Sequence, residues 1–93
     1  MVKHVVMWTL KDKAKAAELK IAIESMKGKI SSLVDVECGI NFNTGKADCD
    51  LILISVHKSP EDLDVYQADP VHKEIGTIIG SCVSSRHAVD FEY

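Results

Sequence analysis

Four histidines, three cysteines and one lysine cluster supply most of the reactive side chains in this chain of 93 residues. An imidazole titrates near pH 6.5, so it is the side chain best suited to moving a proton at neutral pH. Two of the four histidines sit in patterns that point toward a common space. His72 recurs with Ile75 and Ile79 at i, i+3 and i+7, the spacing of a helix stripe that faces a sheet. His4 shares a strand face with Val6 and Trp8. If that face looks toward the helices, the two imidazoles converge on one cavity. Plainer roles stand beside this one. His72 can complete a first helical turn, and His4 can be a core histidine held by a hydrogen bond.

The other candidates are read as structural. His57 closes an apolar run and His87 lies in the C-terminal alternating segment. A metal site needs further His or Cys ligands at short spacing, and neither has one, so no metal is expected. Cys38, Cys49 and Cys82 are odd in number and form no CxxC pair. That argues against a disulfide framework and for reduced, packed thiols in a cytoplasmic protein. Lys11, Lys13 and Lys15 are balanced by Asp12 and Glu18, as in a solvated loop. Gly76 and Gly80, four apart, suggest close helix–sheet packing rather than a phosphate approach.

The elements that must position these residues follow from periodicity. Residues 2–10, VKHVVMWTL, are rich in β-branched side chains and apolar on both faces, which predicts a strand. Leu19, Ile23, Met26, Ile30 and Leu33 recur at steps of three and four, predicting a helix from Ala14 to about Ser31. Residues 36–43 alternate strictly, with Val36, Cys38, Ile40 and Phe42 on one face. Asn43-Thr44-Gly45-Lys46 is turn chemistry. Residues 49–57, CDLILISVH, form the most apolar strand. Ser59-Pro60-Glu61-Asp62 starts a helix running to about Ala68, and Asp69-Pro70 starts another reaching roughly Cys82. Residues 84–93 alternate again, with Arg86, Ala88, Asp90 and Glu92 on one side.

The order is β-α-β-β-α-β, an α+β ferredoxin-like arrangement spanning residues 1–93 as one domain. It implies a four-stranded antiparallel sheet with both helices on one face. The other face then carries Val5, Met7 and a set of branched residues from strand 3. A bare apolar face of this kind marks an interface, so a homodimer packed sheet to sheet is expected. Composition agrees. The chain's mass allows only about 64% of its surface to be buried, yet 46% of its residues are hydrophobic. An RNA-recognition domain would need stacking aromatics on the central strands and a basic face. The net charge is −3 and strand 3 has no aromatic, so no nucleic-acid partner is expected. No apolar run approaches membrane-helix length, so no membrane partner is expected either.

Several short motifs resemble the stress-responsive A/B barrel domains, the dimeric α+β barrels. They are Val2-Lys3-His4-Val5-Val6, Lys11-Asp12 before the first helix, and the Gly39-containing second strand. Tyr66-Gln67-Ala68-Asp69-Pro70-Val71-His72 and Arg86-His87-Ala88-Val89-Asp90-Phe91 complete the set. Their order and spacing cover essentially the whole chain. The resemblance implies that two sheets pair into a barrel, with a pocket between sheet and helices in each subunit. It does not imply one activity. The best-understood member is a plant polyketide cyclase that makes olivetolic acid by an aldol closure.

The cyclase's pocket residues map onto His4, Tyr66 and His72. By that resemblance His72 would act as general base, and Tyr66 would orient it or donate to a developing enolate oxygen. Two departures weaken the enzyme reading and argue against polyketide cyclisation. The stretch Ile21-Ala22-Ile23-Glu24 lacks the cyclase's second pocket tyrosine. The family's frequent His-Pro-x-His is here Asp69-Pro70-Val71-His72. The expectation is a small-molecule-binding homodimer without a cofactor, its apolar or carbonyl ligand held near His4, Trp8, Tyr66 and His72. The alternatives are a cyclase or isomerase using His72, and an interaction module without ligand.

Overall fold

The computed structural model describes residues 1–43, 45 and 48–93. Strand β1 (Val2–Leu10) is followed by a 3-10 turn at Lys13–Lys15 and helix α1 (Ala16–Glu24). Strands β2 (Asp35–Ile40) and β3 (Leu51–His57) lead to helices α2 (Pro60–Ala68) and α3 (Pro70–Cys82), then strand β4 (Val83–Glu92). The antiparallel sheet has the order β2-β3-β1-β4, so the two most apolar strands are central, as their sequences require. No helix among the described residues is long and apolar enough to cross a membrane.

Strand alternation decides which side chains meet the helices. Val2, His4, Val6, Trp8 and Leu10 are all buried on one face of β1. Leu51, Leu53, Ser55 and His57 are buried on the same side of β3. The opposite face carries Val5 and Met7 beside Ile54 and Ile52, with Val89 and His87 on the other flank. Among the described residues no element covers it in the single chain. Met7, Val89 and Phe91 are exposed there.

The helix starts behave as capping chemistry dictates. The Ser59 hydroxyl accepts the Asp62 N–H at 3.1 Å, and the Asp69 carboxylate accepts the Val71 N–H at 2.8 Å. Each cap is followed by proline at the first helical position, where no N–H is needed. Asp69 both ends α2 and begins α3, which fixes the short step between Tyr66 and His72.

Two expectations of length are corrected. The first helix ends at Glu24 rather than near Ser31. The Ser25 hydroxyl donates back to the Ala22 carbonyl, and Met26, Lys27 and Lys29 bond three residues back in tight turns. Gly28 then adopts φ +83°, a region that a side chain disfavours. Met26, Ile30 and Leu33 are nevertheless buried, because steps of three and four suit such turns as well as a helix. Strand β2 stops at Ile40, leaving Phe42 95% exposed instead of sharing the buried face of Val36 and Cys38. The turn expected at 43–46 includes Thr44 and Lys46, which lie outside the described residues.

Candidate functional site

The buried face of β1, the C-terminal end of α2 and α3 from His72 to Gly80 meet around a cavity of about 170 Å³. Its lining includes His4 and Trp8 from β1, Tyr66 from α2, His72 and Ile75 from α3, and Arg86 from β4. The face of β1 that bears His4 does look toward the helices, so His4 and His72 share a space. That volume is slightly above the roughly 150 Å³ that admits one benzene ring.

Tyr66 is the hub. Its ring is 1% exposed and lies 4.5 Å from the His72 ring, 4.6 Å from His57 and 6.3 Å from His4, between centroids. Burial pushes the phenol up to about 12, with the nearby Ser55 hydroxyl pulling weakly the other way. Tyr66 therefore keeps its proton at neutral pH and is available as a donor. Its hydroxyl has a long contact to Met26 Sδ at 4.0 Å.

The histidines are held in different ways. His4 is buried, and its Nδ1 is bonded to the Asp90 carboxylate, the residue directly across from it in the β1–β4 register. A carboxylate accepts, so Nδ1 carries the proton and Nε2 is left for a ligand. His57 is fully buried. Its Nδ1 donates to the Ser32 carbonyl at 2.9 Å, and its Nε2 accepts from Ser55 Oγ at 2.9 Å. Both nitrogens are thus satisfied, the structural role expected of it. His72 differs again: its Nδ1 is buried without a hydrogen-bond partner. Burial holds the pKa of His72 and of His57 below the ordinary imidazole value. Carbonyl groups at Gln67 and Ser32 respectively act in the opposite direction, at Gln67 without closing a hydrogen bond to Nδ1.

A pH dependence follows from those two rings. Well above the ordinary imidazole value of 6.5 both the folded and unfolded chains hold them neutral, and they add no slope. Below it the unfolded chain takes up protons that the folded chain resists, so the fold loses stability as pH falls toward the depressed folded values. The melting temperature should therefore drop between pH 7 and pH 5. His72→Gln should make that drop shallower. An unchanged slope in the variant would remove His72 from the account.

His87 is exposed on the open face of the sheet, away from the cavity. Among the described residues no group of three or more His, Cys, Asp or Glu side chains is placed to hold a metal. Burial pushes the Cys38 thiol up to about 11, so it is an inert core group.

The close packing expected at Gly76 and Gly80 is corrected. Both line the cavity, and a Cβ built on either meets nothing within 4 Å. They leave the α3 wall bare instead of letting it press on the sheet. Gly80→Ala should accordingly raise stability by about 1 kcal/mol through helix propensity alone, read as a higher melting temperature. A loss of stability would mean that the site is tighter than the geometry states.

Asp90 and Arg86 were not singled out from the sequence as site residues. Alternation puts both on one face of β4. What makes them readable is the strand register, in which His4 faces Asp90 and Trp8 faces Arg86.

The family model of the stress responsive A/B barrel domain, Dabb, matches residues 2–93. The chain belongs to this family. Dabb membership agrees with the sheet order and with the cavity between sheet and helices. A dimeric ferredoxin-like protein of unknown function from Bacteroides fragilis is 32% identical, with a TM-score of 0.88 over 99% of this chain and 95% of that one. A dimeric ferredoxin-like protein of unknown function from Thermobifida fusca is 18% identical, with a TM-score of 0.87 over 99% and 90%. A hydroxynitrile lyase from Passiflora edulis shares the fold at 12% identity, with a TM-score of 0.83 over 97% and 90%. No protein of curated function matches this chain by sequence.

Proposed function

We propose that this Dabb protein is a homodimer that binds one small apolar or carbonyl compound per subunit in the cavity between sheet and helices. The observation that carries the reading is the cavity itself, with His4, Tyr66 and His72 on a mainly apolar lining. Such a lining matches ordinary ligand sites, where a few polar groups orient a mostly apolar body. The dimer is supported by the uncovered apolar face and by the dimeric state of the Bacteroides fragilis relative. The face and the cavity lie on opposite sides of the sheet, so pairing leaves the cavity open.

Trp8 is the single tryptophan of the chain and lines the cavity, which makes it a built-in reporter. Titration with acetophenone, one ring bearing a carbonyl, should change Trp8 emission saturably. Gly80→Leu, which fills the cavity from the α3 wall, should abolish the response. A panel of small carbonyl compounds giving no saturable change, or a change indifferent to Gly80→Leu, would overturn the proposal.

One observation favours a second reading, a cyclase or isomerase acting next to a carbonyl. The unpartnered Nδ1 of His72 and its depressed pKa leave a neutral imidazole available as general base. Asp90 fixes the tautomer of His4, and Tyr66 can donate to an enolate oxygen. Turnover that disappears in His72→Ala while the far-ultraviolet circular dichroism is kept would select this reading over binding alone.

A further inference from the structure

We propose that the cavity selects small carboxylates, the anionic group pairing with Arg86 while the apolar body lies along Trp8; this rests on the binding reading above and names its ligand class. Arg86 lines the cavity from β4, directly across from Trp8 on β1. Its guanidinium forms no ion pair with the acidic side chains of the described residues. Of the two acids that share its strand face, Asp90 is already engaged by His4, and Glu92 lies six residues along the strand. The cation therefore lacks a protein counter-charge in a site whose other polar groups are the imidazoles of His4 and His72 and the phenol of Tyr66.

The two ends of the site are chemically distinct. Arg86 and Asp90 are four residues apart on one strand, about 13 Å at 3.3 Å per residue. The guanidinium end, beside Trp8, is thus where an anionic group would sit, with His4 toward the other end of the cavity. Arg86 is close enough for its charge to oppose protonation of His72, so it also helps to keep that ring neutral. Between the ends, Gly76 and Gly80 leave the α3 wall without side chains, which gives room for a ring. A single guanidinium suits a monoanion, which it can hold with two parallel hydrogen bonds. The whole chain carries −3, so a carboxylate gains nothing from bulk attraction and its binding must come from this site.

Benzoate and acetophenone have nearly the same shape and differ in charge, so Trp8 emission can compare them directly. Benzoate should bind about tenfold more tightly than acetophenone, a moderate factor because Arg86 is solvent-exposed. Arg86→Gln should weaken benzoate far more than acetophenone and so remove that advantage, and Arg86→Lys should restore part of it. Equal affinities in the parent protein, or an advantage that survives Arg86→Gln, would overturn the carboxylate proposal while the cavity reading stands. If neither compound perturbs Trp8, both readings fail together.

Discussion

Tyr66→Ala should destabilise the fold by about 3–5 kcal/mol, the range for deleting a fully buried aromatic ring. The ring is 1% exposed and packs within 4.6 Å of both His57 and His72. Removing it enlarges a cavity that is already about 170 Å³, and little can relax into the gap. On one side lies the sheet, held by its ladders; on the other, α3 is pinned through the Asp69 cap. Domains of this size are stable by only about 5–15 kcal/mol, so the loss is a large share of the total. Urea unfolding measures it: the midpoint should fall steeply with the slope unchanged. A loss below about 1 kcal/mol would show that Tyr66 is not the hub of the packing.

Tyr66→Phe separates that packing from chemistry. The variant keeps the ring and removes a hydroxyl whose hydrogen-bond contact is a 4.0 Å approach to Met26 Sδ. Stability should therefore change by less than about 1 kcal/mol, because no strong hydrogen bond is lost. If a carbonyl ligand uses the phenol as donor, affinity or turnover falls in Tyr66→Phe with stability unchanged. The pair of variants thus reads one side chain twice, once as core and once as a polar group of the site.

The strand faces and helix starts were legible because each rests on a local rule. Alternation in residues 2–10 assigned His4, Val6 and Trp8 to one face, and Ser59-Pro60 and Asp69-Pro70 announced α2 and α3. The period of three to four in Leu19–Leu33 identified what is buried but not how far the helix extends. Tight turns after Glu24 bury the same residues, and the decision was made by Ser25 and Gly28. The site divides in the same way. His72 was readable from its helix stripe, whereas Asp90 and Arg86 enter through pairing between β1 and β4, which are far apart in sequence. The glycines misled for a related reason. A glycine pair on a helix signals an absent side chain, and only the position of the opposing sheet decides whether the gap is filled.

Val5→Glu should convert the proposed dimer into a monomer. Val5 sits in the middle of the central strand, between Ile54 of β3 and Val89 of β4, on the face that the helices leave bare. In the isolated subunit its side chain is half-buried, so a carboxylate there can still reach water and the fold should survive. In a sheet-to-sheet dimer it cannot. Closed twofold symmetry places the substitution in the interface twice, so two carboxylates are buried together without a cation to pair them. At about 3 kcal/mol of desolvation for each, dissociation is favoured by roughly 10⁴-fold, before their mutual repulsion is counted. Light scattering at micromolar concentration should then report the single-chain mass of 10.2 kDa for the variant and twice that for the parent. Ile21→Glu is the matched control. Ile21 is 73% exposed on α1, on the far side of the sheet, and the same charge there should leave the mass unchanged. A parent protein that already scatters as a monomer, or a Val5→Glu variant that stays paired, would mean that this apolar face serves some other purpose. If the masses divide as expected, the hydrophobic content that exceeds one small subunit's interior has its explanation in the second subunit.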